Sequence, residues 1–451
     1  MKRLFLILAI MALLLPLSAQ EAGGGAGFSA GLNLGSDLLP DPNDPTVISS
    51  WSKLGFQPDL AIGKFGIGLD LTFRFKLYPD PNTPIEIYSP DWIPQGTATI
   101  FDIYLPKIMY VRYGIRGVDP FYVKLGSIND FTLGNGLIIS DYANTRFLPD
   151  TRLFGMQVGI DGALFKVPYF GFEALTGNLA KLDVLGGRVY VRPLAFLGSS
   201  ILGRVQVGAT AVYDKDPYLY TAAPGTASPI YVVGADITAP IVPGTIFSLT
   251  AFVEGAREMN GAMGGIVGVS GKLISFINYG AQIRYLQEDF IPSYFDATYD
   301  LYRADRYAYI ASHDPATGAF VPGWLASLGF DLFNQKLVFS ARLDGPFAPI
   351  PAPASDNSAA YPHLKGKLVL GEGMIGGLSF EGGYEKYFIG RRSAFFSDLI
   401  DPTDAVIGFA VNYKTGATVL TLNYAYRWDP SLNGGAGGFD VSSSLSAAVR
   451  F

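Results

Sequence analysis

Asp70, Thr72, Arg74 and Lys76 occupy alternate positions of one short stretch, and Leu69, Leu71, Phe73, Phe75 and Leu77 fill the positions between them. In an extended chain such a stretch has a charged face and an apolar face. Three ionisable groups on one face of a soluble core strand would demand extensive pairing, whereas a face in water demands none. The chemistry of such a face is electrostatic: it attracts, repels and orients solutes without making bonds. The same dyad recurs where Leu337, Phe339, Ala341 and Leu343 face away from Lys336, Ser340 and Arg342, and where Leu364, Leu368 and Leu370 face away from Lys365 and Lys367.

Taken together, the polar faces of all such stretches carry Arg74, Lys76, Arg112, Lys124, Arg188, Arg192, Arg204, Arg284, Lys336, Arg342, Lys365, Lys367, Arg427 and Arg450. The acidic members are fewer: Asp70, Asp102, Asp161, Glu173, Asp236, Glu254, Asp331, Glu381 and Glu385. If these faces enclose water, the basic excess favours anions weakly. The competing reading is that opposite charges pair across neighbouring strands and only hold the wall together.

Two further segments carry candidate residues. Residues 128–151 contain Leu137, Ile138 and Ile139, which gain nothing from exposure to water. Folded inward, the segment places Asp141, Asn144, Arg146, Asp150 and Arg152 at a passage; folded outward, it is an external hairpin on its neighbours. Residues 290–310 interleave Phe290, Tyr294, Phe295, Tyr299, Tyr302, Tyr307 and Tyr309 with Asp296, Asp300, Arg303, Asp305 and Arg306. Such a mixture either stacks on sugars or caps the molecule as a helical, aromatic-rich loop.

Enzymatic chemistry has little to work with. The only histidines are His313 and His363, there is no cysteine, and no spaced nucleophile and base, phosphate-binding glycine loop or metal-ligand cluster is legible. The expectation is no enzyme, no cofactor and no metal.

The elements that must position these residues are strands. Twenty segments of alternating character run from residue 26 to residue 451, including 100–113 and 200–213, and one hairpin more or fewer would make the count 18 or 22. Long connections such as 79–99, 128–151, 289–322 and 389–403 alternate with short ones such as Lys64, 274–275 and Thr415–Gly416. A membrane barrel segregates loop length in this way, with long external loops and short periplasmic turns. The chain is 49% hydrophobic and 16% charged, with a mean hydropathy of +0.26. That composition calls for a large core or a membrane.

Lys2 and Arg3 precede an apolar run from Leu4 to Leu15, broken by Pro16. This is a signal peptide, with cleavage expected after Ala19, so that residues 1–19 are the signal and 20–451 the barrel. Loss of Lys2 and Arg3 takes Lys+Arg from 33 to 31 against 39 Asp+Glu, a formal −8 that argues against a nucleic-acid partner.

The final stretch alternates Val441, Ser443, Leu445, Ala447, Val449 and Phe451 with Ser442, Ser444, Ser446, Ala448 and Arg450. With the signal peptide, it resembles the end of bacterial outer-membrane β-barrels of the porin-like kind. The resemblance implies a single all-β, antiparallel transmembrane barrel of about 20 strands, with Phe451 as the signal to the barrel-assembly machinery. It also implies outer-membrane lipid and small hydrophilic solutes as partners, and an early external loop folded into the lumen as a constriction. The lumen or constriction residues expected are Arg74, Lys76, Arg112, Asp141, Asn144, Arg146, Asp150, Arg152, Arg188, Arg192, Arg342, Lys365 and Lys367. Two other readings stay open: a surface-exposed structural or adhesive barrel with a blocked lumen, and a transporter of hydrophobic molecules.

Overall fold

The structure is a computed structural model. It describes residues 26–450 apart from 43, 45–46, 77, 79–82, 97, 149–150, 221–226, 313–317, 352–353, 355–357, 417 and 431. The expected signal peptide, Asp150 and Phe451 lie outside the described residues.

One antiparallel sheet of 22 strands dominates. Two of these are halves of a strand broken at Asp70, and one is the two-residue Glu86–Ile87, which leaves 20 around the wall. We number them in chain order: β1 (Ala26–Pro40), β2 (Ile48–Ile62), β3 (Phe65–Leu69 with Leu71–Lys76), β4 (Ile108–Tyr113), β5 (Phe121–Gly126), β6 (Gly155–Asp161), β7 (Phe170–Thr176), β8 (Val184–Val191), β9 (Gln206–Asp214), β10 (Ile230–Pro243), β11 (Ser248–Glu258), β12 (Met263–Leu273), β13 (Ile277–Gln287), β14 (Phe320–Leu332), β15 (Leu337–Pro346), β16 (His363–Ile375), β17 (Leu378–Lys386), β18 (Ala405–Thr415), β19 (Thr418–Asp429) and β20 (Gly438–Arg450). Each pairs with its sequence neighbours. β20 also pairs with β1, Gly31 opposite Arg450 and Leu34 opposite Ala447, so the ladder returns to its start. A ladder that returns to its start leaves no terminal edge strand, which is what a wall in lipid requires.

Two expected strands begin later than their pattern suggested. Residues 100–104 form a short helix, α1 (Ile100–Tyr104), started by a capping box between Thr99 and Asp102. Residues 202–204 form a 3-10 turn ahead of β9. The connections alternate in length as expected, with 63–64, 274–276 and 376–377 at one end and 127–154, 288–319 and 347–362 at the other. In the β12–β13 turn both Ile274 and Ser275 have positive φ, 50° and 67°, the twist that matches a tight hairpin to its strands.

Alternation sets the faces. Along β9, Val207 and Tyr213 are exposed outward while Thr210, Val212 and Asp214 are buried inward. The inward Val212 departs from a simple apolar-out, polar-in wall. Ile230, Val232, Phe252, Ile266 and Leu286 do the same on neighbouring strands, because the barrel has a core inside it. Residues 127–148 and 288–312 both enter the lumen there. Phe131–Leu133, Ile139–Tyr142 and Phe295–Asp296 form a small sheet, with Phe295 parallel to Ile139. The helix α2 (Tyr299–Ser312) completes the insert, burying Tyr299, Arg303 and Ile310 on one face. Leu133, Ile138, Ile139, Phe290 and Phe295 are wholly buried. Each such side chain stabilises the seated insert by about 1.5–3 kcal/mol.

Candidate functional site

The insert fills the sector of the lumen beside β7–β13 and leaves space against the others. That space is a cavity of about 1580 Å³ whose charged lining comes from β1–β3, residues 91–107, β14–β17 and the insert itself. Where the insert meets β15–β17 a second, narrow pocket of about 40 Å³ adjoins that cavity, with room for a few water molecules. Ser140, Arg342, Lys365 and Glu385 border both spaces.

This narrow point is built from opposite sides. On the insert, Asp141 adopts a left-handed backbone, φ 53°, in which its N–H bonds Thr132 Oγ1 at 2.9 Å and its carboxylate meets Lys365 Nζ at 3.1 Å. On the wall, Arg342 donates to Ser140 Oγ at 2.7 Å and to Ser293 Oγ at 3.3 Å, joining β15 to both inserted segments. Arg146 donates to Ala297 O at 2.8 Å and lies 3.8 Å from Glu385. Above them, Arg284 donates to Asp344 at 2.8 Å, and His363 stands 3.3 Å from both Asp344 and Glu385 while stacking on Tyr387 at 4.4 Å.

Of the residues expected at the passage, Arg74, Asp141, Arg146, Arg152, Arg342, Lys365 and Lys367 line the large cavity. Most are paired: Arg74 with Asp37 and Asp91 at 2.7 Å each, Arg152 with Asp70 at 2.9 Å, Lys367 with Glu381 at 2.8 Å. The others are elsewhere. Asn144 is wholly buried, donating to Gly177 O at 2.8 Å and accepting from Ile128 N–H at 2.7 Å, so it pins the insert and does not face solute. Lys76 bonds Asp41 at 2.8 Å beside the Trp51 ring. Arg188 is buried in a two-pronged bond to Asp236, at 2.9 and 2.6 Å. Arg192 bonds Asp161 at 2.6 Å, and Arg112 sits opposite Lys124 in the β4–β5 ladder; neither borders the two spaces. Asp150 lies outside the described residues.

The large cavity is therefore close to charge-balanced, with Asp37, Asp91, Asp102 and Asp130 added to the lining by loops and strand ends. The basic excess survives only at the narrow point. Arg284, Arg306, Arg342 and Lys365 there face Asp296, Asp344 and Glu385. Ser140 and Ser293 escaped the sequence reading because nothing in a loop sequence tells which side chains meet a strand 202 or 49 residues away, and Arg306, named among the polar residues of 290–310, was not expected at the passage. Of the aromatic residues of 290–310, Phe290, Tyr294, Phe295 and Tyr299 are wholly buried core and present no stacking surface, while Tyr307 and Tyr309 are partly buried and pack against that core.

No protein-family model matches the sequence, and no curated protein matches it. Several solved structures share its outline. OccK11 (OpdR) of Pseudomonas aeruginosa is 13% identical with a TM-score of 0.33, over 97% of this chain and 99% of that one. A BenF-like porin of Pseudomonas fluorescens Pf-5 is 11% identical with a TM-score of 0.31, over 95% and 100%. CdiB of Acinetobacter baumannii is 9% identical with a TM-score of 0.27, and this chain spans 61% of its length. Likenesses at this level assign neither a family nor a solute.

Proposed function

We propose that the chain is a porin-like channel of the bacterial outer membrane that passes small hydrophilic solutes by diffusion, with a weak preference for anions at its constriction. The observation that carries this reading is the insert. It occupies only one sector of the lumen and leaves a cavity of about 1580 Å³ lined by charged and hydroxyl side chains against the remaining wall. A barrel serving only as a scaffold would gain by filling that space. Arg146, Arg342 and Lys365 at the narrow point supply the anion preference, and the apolar outer face of the strands, such as Val189, Ile237 and Leu422, supplies the membrane surface.

The test is conductance of the purified protein in a planar bilayer. Stepwise channels whose size falls when small neutral sugars that enter the lumen are added, and not when larger, excluded ones are, support the reading. A folded protein that never conducts would overturn it in favour of a surface-exposed barrel with a blocked lumen.

A further inference from the structure

The wall has a break in its ladder. The lower half of β3, Phe65–Leu69, pairs with Tyr113–Ile108 of β4. At its top, Phe75 and Lys76 pair with Ile87 and Glu86. Between them the flanking contacts are Tyr88 N–H to Arg74 O at 2.9 Å and Asp70 N–H to Lys107 O at 2.7 Å. Residues 89–106 leave the sheet at this point. Leu71, Thr72 and Phe73 keep β2 on one edge, opposite Phe56, Gly55 and Leu54, and among the described residues no strand pairs with the other. Three residues of strand are about 10 Å of wall. Lipid does not tolerate an open edge of that length, so something must cover it.

The cover is amphipathic and helical. Asp91, Asp102 and Lys107 of this segment line the large cavity. Ile93, Ile100 and Phe101 of the same segment are 59–61% exposed. Trp92 sits between the two sides, its ring stacked on Phe73 at 4.9 Å and under the Lys107 ammonium at 4.0 Å. Its indole N–H is buried and has no partner among the described residues. The segment is held by Arg74–Asp91 at 2.7 Å, Lys181–Asp102 at 3.0 Å and the Tyr104 hydroxyl on Trp92 O at 3.1 Å. Solvent-accessible bonds of this kind hold far more weakly than a strand ladder. Lys107 also differs from the other cations lining the cavity, since among the described residues it makes no ion pair while Lys53, Arg74, Arg152, Lys365 and Lys367 each have one.

We propose that this break is a lateral portal through which a single-chain amphiphile with an anionic head, such as a long-chain carboxylate, moves between the lumen and the surrounding bilayer. The head pairs with Lys107 and the tail lies against Ile93, Ile100 and Phe101, with the segment 89–106 as the movable panel. The inference rests on the reading of the outer face as lipid-exposed and goes beyond diffusion of hydrophilic solutes.

The chain has four tryptophans, so Trp51→Phe, Trp324→Phe and Trp428→Phe leave Trp92 as the sole emitter. In phosphatidylcholine vesicles, bromostearic acid should quench it saturably, and phosphatidylcholine brominated on its chains should quench it less at equal bromine content. Lys107→Met, which keeps the side chain's length, should raise the half-quenching concentration several-fold while the protein keeps its heat-modifiable folded form. In the wild type, stearate premixed into a planar bilayer should lower conductance, and in Lys107→Met it should not. Equal quenching by both probes with no effect of Lys107→Met means ordinary lipid contact and overturns the portal. Selective quenching in a protein that never conducts would sustain the amphiphile site and count against the hydrophilic channel alone.

Discussion

One buried guanidinium ties the helix of the insert to the wall. Arg303, wholly buried on α2, donates to Asp183 at 3.0 Å and to Asp214 at 2.6 Å and lies 3.8 Å from Asp300. The Tyr299 hydroxyl also donates to Asp214, and the Tyr142 hydroxyl donates to Asp300 at 3.1 Å. Replacing Arg303 with Met leaves buried carboxylates without their counter-charge, and should cost about 3–5 kcal/mol of stability, read as a lower urea midpoint. Three carboxyls around one cation cannot all ionise cheaply. Burial first, and the neighbouring Asp183 next, push the Asp300 carboxyl up to about 8. A carboxyl raised in the folded state gives stability that is complete at acid pH and lost as pH rises through that value. Channel flicker should therefore increase in mildly alkaline solution, and Asp300→Asn should abolish the change. A persistent pH step in that variant would assign it to another group. None of this was legible in sequence. An Arg among Tyr and Asp residues reads equally as a lining, stacking or core residue, just as Asn144 read as a lining residue and is a buried pin.

At the scale of elements, what repeats was legible and what packs was not. Alternation over ten residues marks a strand because one face must differ from the other, and the 20 strands fall close to their expected places. The exceptions are physical. Residues 100–104 alternate too, but the Thr99–Asp102 capping box offers the backbone a helix, and the strand starts at Ile108. Residues 128–151 were recognisable as misplaced in water from Leu137, Ile138 and Ile139. Their contact with 290–310 was not, since non-local packing leaves no period in either segment. Two predictions belong here. Deleting residues 131–144 removes the small sheet's centre and should raise single-channel conductance; an unchanged conductance would show that the insert does not restrict the path. Val253→Arg, on the outward face midway along β11, should cost about 2–4 kcal/mol in lipid vesicles, whereas Ser327→Arg, facing the cavity from β14, should cost far less. The reverse order would mean that the faces are inside out.

For the whole molecule, net charge and selectivity point in opposite directions. The chain's formal charge is −6, yet several acidic residues, Asp183, Asp214, Asp236 and Asp398 among them, are buried beside basic partners and do not act on the passage. Within the wide cavity Arg74, Arg152 and Lys367 are matched by their acidic partners, so that region discriminates little. Only at the narrow point do Arg284, Arg306, Arg342 and Lys365 outnumber Asp296, Asp344 and Glu385, and there low-dielectric walls concentrate the field. Selectivity should thus be weak, anionic and set by a few side chains. In a potassium chloride gradient the wild type should reverse on the chloride side of zero. Lys365→Glu frees Asp141 from its 3.1 Å partner and adds a second negative charge beside it, so the reversal potential should cross toward potassium. Lys76→Glu, whose wild-type ammonium is spent on Asp41 away from both spaces, should leave it nearly unchanged. If both substitutions shift the potential alike, selectivity follows the charge of the whole wall and the constriction has no special part in it.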